Sequence, residues 1–157
     1  MLFPTSVFAI TLAFAATQVP AQKNGGLTVH TAEGDVVGTL VSPTVRQFLG
    51  IPYAVGNRWE PPTNVPARSV PFNASNFGDS CPQNIPPSFA VLGPTGANAP
   101  ESEDCLNLNI WAPTTERKQQ TAVMIWIYGG AYEFGTVCST EVLSSIHDEL
   151  IIIFLSE

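Results

Sequence analysis

Ten of the fourteen prolines lie between positions 52 and 100, a stretch that holds only four charged residues. Proline fixes φ and offers no N–H, so neither a helix interior nor the middle of a sheet accepts such a density. The chain is therefore predicted to have regular structure before this stretch, a long ordered loop region within it, and regular structure again after it. A loop region of that length inside a compact domain usually has a functional or disulfide-tied role. At 157 residues, with 45% hydrophobic and 12% charged residues, the chain has the size of one domain and the apolar content for a core. Six Lys plus Arg against 13 Asp plus Glu give a net charge of -7. With no basic run to offset it, that balance argues against nucleic acid as a partner.

Before the proline-rich stretch, residues 27–40 read LTVHTAEGDVVGTL, two β-rich runs flanking Glu33-Gly34-Asp35, which suits a tight hairpin. An apolar run over residues 45–51 ends at Pro52. After the stretch, strict alternation over residues 106–111 predicts a strand with Leu106, Leu108 and Ile110 on one face. Residues 122–128, AVMIWIY, are continuously apolar and end at Gly129-Gly130, the pattern of a central strand buried on both faces. A short helix is predicted over residues 141–149, and residues 150–155, LIIIFL, form a second buried strand candidate.

At the N-terminus, the apolar residues 7–16 followed by Thr17-Gln18-Val19-Pro20-Ala21 read as a signal peptide, with cleavage after Ala21 or Ala15. The stretch is too short to span a bilayer, so no membrane span is predicted. Residues 1–21 are thus assigned to a leader and 22–157 to the mature chain, in a secreted or extracellular location where disulfides persist. Cys81, Cys105 and Cys138 allow one bridge and one leftover thiol. Asn73-Ala74-Ser75 is an acceptor sequon for N-glycosylation in a secreted protein. With only His30 and His147, far apart in sequence, no metal-ligand cluster and no cofactor is expected.

The candidate site is Tyr128-Gly129-Gly130-Ala131-Tyr132, directly after the strongest strand. Small residues there let the backbone turn sharply and bring N–H groups close to a ligand oxygen, which is what stabilising an oxyanion requires. Acyl transfer also needs an activated serine on a G-x-S-x-G elbow, a histidine base and an acid to orient it. No G-x-S-x-G occurs in the 157 residues. Ser144, Ser145, His147 and Asp148 cluster in sequence, but neighbours at i, i+3 and i, i+1 do not form a triad.

Glu103-Asp104-Cys105-Leu106-Asn107-Leu108-Asn109-Ile110-Trp111, followed by residues 123–132 ending in the Gly-Gly site, resembles the type-B carboxylesterase/lipase family, the cholinesterase-like branch of the α/β-hydrolases. Phe48-Leu49-Gly50-Ile51-Pro52-Tyr53-Ala54, Arg58-Trp59 with Pro61-Pro62, and Phe77-Gly78-Asp79-Ser80-Cys81-Pro82-Gln83 match the same family in the same order. The resemblance implies an α/β class: the N-terminal part of an α/β-hydrolase fold, with an N-terminal hairpin, a disulfide-tied loop region and the first central strands. It implies that Gly130 and Ala131 supply oxyanion-hole N–H groups, with Gly129 permitting the turn. It also implies a Cys81–Cys105 disulfide that leaves Cys138 free, and a structural ion pair between Arg58 and Glu103. The substrate implied is a small-molecule carboxylic ester, and the family places its triad downstream of residue 157. The chain is accordingly read as a domain truncated before the nucleophile elbow, inactive alone. The alternatives are a noncatalytic cholinesterase-like binding module and a nonfunctional truncated product.

Overall fold

The computed structural model describes residues 26–85, 100–114, 121–130, 133–136 and 150–155. Among them all regular structure is strand: β1 (Thr28–Thr31), β2 (Gly34–Val37), β3 (Thr39–Leu40), β4 (Val45–Pro52), β5 (Phe72–Asn73), β6 (Asn107–Pro113), β7 (Ala122–Ile127) and β8 (Leu150–Leu155). The predicted helix at residues 141–149 lies outside the described residues. The strands form a three-stranded sheet in the order β1-β2-β5 and a five-stranded sheet in the order β3-β4-β6-β8-β7.

The N-terminal hairpin pairs Thr31 with Gly34, so its turn is Ala32-Glu33. Gly34 and Asp35, read from sequence as part of the turn, are the first residues of β2. The Glu33 carbonyl accepts the Arg68 N–H at 2.7 Å, which ties the turn to the loop region. One residue later than Val37 the chain changes sheets: β3 pairs with β4, while β2 continues its own sheet through a parallel pairing with β5. β5 is a short strand inside the proline-rich stretch, and it is a sheet-edge strand, where the missing N–H groups of nearby prolines cost least. Val36, Phe48 and Ala74, all buried, join the two sheets into one cluster with Phe72, Ile51 and Ile110 packed against them.

Strand β4 carries a bulge. Phe48 pairs with Ile110 and Ile51 with Leu108, so Leu49 and Gly50 together face Asn109. The two displaced N–H groups both find acceptors: Leu49 donates to the Ala74 carbonyl at 2.9 Å and Gly50 to Asn109 Oδ1 at 2.8 Å. Gly50 has φ +63°, and a Cβ there would stand 2.7 Å from Gly78 N. Only glycine meets both conditions.

The bulge accounts for one of the polar residues on the face that β6 buries against its hydrophobic pattern. Asn107, Asn109 and Trp111 are buried, whereas Leu108 and Ile110 are half-buried. Asn109 is held by the Gly50 N–H, Asn107 Nδ2 donates to the Asp79 and Cys105 carbonyls at 3.0 Å, and Trp111 Nε1 donates to Gln47 Oε1 at 3.3 Å. Buried polar side chains are tolerated where they are hydrogen-bonded, and each of these three makes at least one such bond.

The prediction of strands for the two apolar runs holds, and β7 and β8 pair in parallel, in register from Ala122↔Leu150 to Ile127↔Leu155. Burial of β7 does not. It is an edge strand, and Val123, Met124, Ile125, Trp126 and Ile127 are 41–59% exposed. A continuous apolar run states that a strand requires cover on both faces, but the cover is supplied by other segments, and among the described residues only β8 lies beside it. No helix among the described residues is long and apolar enough to cross a membrane.

Candidate active site

Strand β7 delivers the chain to Tyr128-Gly129-Gly130 at the end of the five-stranded sheet. The turn that follows closes on Gly130, whose carbonyl accepts the N–H of Glu133 at 3.0 Å and of Phe134 at 3.3 Å. Gly130 has φ +139°, and a Cβ on it would collide with the Phe134 carbonyl oxygen. The turn's requirement for glycine is therefore at Gly130. A side chain at Gly129, the position assigned from sequence to permit the turn, would meet nothing within 4 Å. Ala131 lies outside the described residues, as do Cys138, Ser144, Ser145, His147 and Asp148.

Facing this turn is the end of the proline-rich loop region. Cys81 and Cys105 are joined by a disulfide with Cα atoms 5.0 Å apart. Ser80 N–H donates to the Pro100 carbonyl at 2.9 Å, and Ser102 N–H to the Ser80 carbonyl at 3.0 Å, so the two limbs of the loop are stitched together beside the bridge. From this platform two side chains reach the segment after the turn. Gln83 Oε1 accepts the Gly135 N–H at 2.7 Å while Gln83 Nε2 donates to the Gly135 carbonyl at 2.9 Å. Ser80 Oγ and Thr136 Oγ1 share a hydrogen bond of 2.7 Å. Neither Ser80 nor Gln83 was given a role by sequence reading. The available signal was a pair of polar residues flanking Cys81, but partners more than fifty positions away are not visible in a linear pattern.

Between the turn and the platform lies an open pocket of about 680 Å³, lined by Ile127, Tyr128, Gly129 and Gly130 on one side and Cys81, Pro82 and Gln83 on the other, with Glu133, Phe134 and Gly135 closing it. This is the size range of small-molecule sites. Main-chain amides at a pocket wall offer fixed partial positive charge to a developing oxyanion, without the reorganisation that water would need.

Arg58 and Glu103 meet near the Cys105 limb. Arg58 Nε donates to Glu103 Oε1 at 2.9 Å, and Nη2 donates to the same oxygen. Both side chains are more than half exposed, so this is a surface pair rather than a buried one. The hydrogen bonds to Glu103, and then its charge, hold the Arg58 guanidinium above its ordinary pKa. Asn73 is exposed in β5, and Ser75 Oγ donates to its Oδ1. His30 sits on the exposed hairpin with Nδ1 2.6 Å from Asp35 Oδ1, away from the pocket lining. Among the described residues no group of three or more His, Cys, Asp or Glu side chains is arranged to hold a metal ion.

Comparison with curated proteins finds zebrafish (Danio rerio) acetylcholinesterase 37% identical over 150 residues, covering 87% of this chain and 23% of that protein. Mouse (Mus musculus) cholinesterase is 42% identical over 118 residues, 69% of this chain and 19% of the relative. The fumonisin B1 esterase of Sphingopyxis macrogoltabida is 38% identical over 138 residues, 83% of this chain and 24% of the relative. The chain thus spans about a fifth to a quarter of the length of the relatives it matches. A model of the carboxylesterase family matches residues 26–154, which takes in strands β1 to β7, all but the last residue of β8, the disulfide, the Gly130 turn and the pocket between them, and the chain belongs to that family.

Proposed function

We propose that these residues form the oxyanion side of a site that hydrolyses small-molecule carboxylic esters. The observation that carries this reading is the Gly130 turn at the mouth of the pocket, held in a conformation open only to glycine. In this reading the N–H groups of Gly130 and Ala131 donate to the carbonyl oxygen as attack on its carbon turns it into an alkoxide. They strengthen as negative charge grows, which lowers the barrier rather than merely binding the ester. The nucleophile, its base and the orienting acid come from polypeptide outside these 157 residues, consistent with the absence of G-x-S-x-G here and with the share of the relatives that the chain matches. The architecture is that of the first part of an α/β-hydrolase domain beginning after residue 21, in a secreted protein. Asn73 is its glycan acceptor, supported by its exposure and by the Ser75 hydroxyl on its side-chain oxygen.

The test is a hybrid in which residues 26–136 replace the matching segment of a related cholinesterase. The hybrid is expected to hydrolyse an activated ester and to label with a fluorophosphonate. Gly130→Ala keeps the N–H but drives a Cβ into the Phe134 carbonyl oxygen, and the displaced donor should lower kcat in the hybrid by about 100-fold. A folded hybrid that binds esters but neither labels nor turns over would replace this reading with a noncatalytic binding module.

A further inference from the structure

The Gly130 turn raises a positioning problem. An oxyanion donor is useful only if its N–H points where the alkoxide will be, and a displacement of about 1 Å can cost about 100-fold in rate. Inside the turn the constraint is local: one carbonyl accepting the N–H groups of Glu133 and Phe134. Beyond the turn, residues 133–136 belong to no strand. What fixes them is the loop-region platform, and its principal contact is a single side chain.

We infer that Gln83 is the positioning residue of the oxyanion turn. Its amide does for Gly135 what a neighbouring strand would do, accepting the N–H at 2.7 Å and donating to the carbonyl at 2.9 Å. The same Nε2 also donates to the Cys81 carbonyl at 3.2 Å, which orients the amide from its own limb. The assignment of oxygen and nitrogen follows from chemistry: the Gly135 N–H requires an acceptor, and the two carbonyls require a donor. A carboxylate in place of the amide would keep the first bond and lose the other two. Behind Gln83 the constraint continues through the disulfide to Cys105, two residues before β6 begins. The path from a sheet strand to the turn is thus covalent except for the Gln83 amide and the neighbouring Ser80–Thr136 hydrogen bond. Gln83 contacts backbone alone in these three bonds, so its role is to hold the peptide and not to touch the ester.

This assignment rests on the ester-hydrolase reading for its meaning, but its first test needs no substrate. Amide hydrogen exchange at Gly135 is followed by NMR in the 157-residue chain, with the β6 amides as internal reference. Gly135 is expected to be protected in the native sequence. Gln83→Met, of similar length but with neither an amide donor nor an amide acceptor, should speed its exchange by about tenfold, the loss of one such bond. Gln83→Glu, which retains the acceptor, should keep that protection. A native Gly135 that exchanges as an open amide, or equal protection in Gln83→Met, would overturn the inference and reduce Gln83 to packing. In the hybrid described above, Gln83→Met should lower kcat by about 10- to 100-fold with KM unchanged, since misaligned donors weaken transition-state binding alone. Unchanged kcat would overturn the inference. Protected Gly135 in an inert hybrid would leave the clamp standing and reject the ester-hydrolase reading instead.

Discussion

Asn109 is the residue that seats the β4 bulge on β6 within the five-stranded sheet. It is fully buried, and its Oδ1 supplies the acceptor that the β4 bulge leaves the Gly50 N–H needing. Asn109→Leu keeps the branching at Cγ but orphans that N–H, and should lower unfolding free energy by about 1–3 kcal/mol in urea titration. Gly50→Ala acts on the other partner, adding a side chain at φ +63° against Gly78, and should cost about 1–3 kcal/mol by the same measurement. Glu103→Gln should leave the denaturation midpoint unchanged, since its partner Arg58 is a solvent-exposed cation and such pairs contribute little. The alternation of β6 was legible in the sequence, but its buried face was not. Hydrophobicity ranks leucine above asparagine, and it takes partners from distant segments, the Gly50 N–H for Asn109 and the Asp79 carbonyl for Asn107, to make asparagine the better core residue.

At the scale of elements, local pattern and non-local order part company. Residues 122–127 and 150–155 read as strands because continuous apolar runs bounded by breaks have few other solutions. Their parallel pairing follows from the intervening segment, long enough for a crossover. That β8 sits inside β7, leaving β7 at the edge, is a fact of strand order that no single run encodes. An exposed apolar edge strand is a template for association. Ile125→Lys on β7 should therefore shift the chain toward monomer in sedimentation velocity, with the β-sheet circular dichroism unchanged. The disulfide is an element-scale constraint as well. Cys81→Ser with Cys105→Ser releases a loop of sequence separation 24 and should lower stability by about 3 kcal/mol.

For the whole molecule, the division of labour is between a sheet that aims β7 and a loop region that receives what β7 delivers. The receiving half was foreseen from proline density and from the cysteine motif, while the hydrogen bonds that complete it join positions 80 and 83 to 136 and 135. Chemistry requires an attacker in addition to an oxyanion pocket, so the 157-residue chain alone is expected to take up no stoichiometric fluorophosphonate label in gel fluorescence. Specific labelling abolished by heat would show a nucleophile among these residues.

The linear order of these parts has a consequence for biosynthesis. Both half-cystines, the bulge that seats Asn109, and strands β4 and β6 all precede β7 in the chain. During vectorial synthesis the bridge can close, and Ser80 and Gln83 can be set in place, before the Gly130 turn has left the ribosome. The receiving surface is then a template waiting for its ligand segment. Delayed oxidation would reverse that sequence of events and bring out the Gly130 turn while the platform that receives it is still untied.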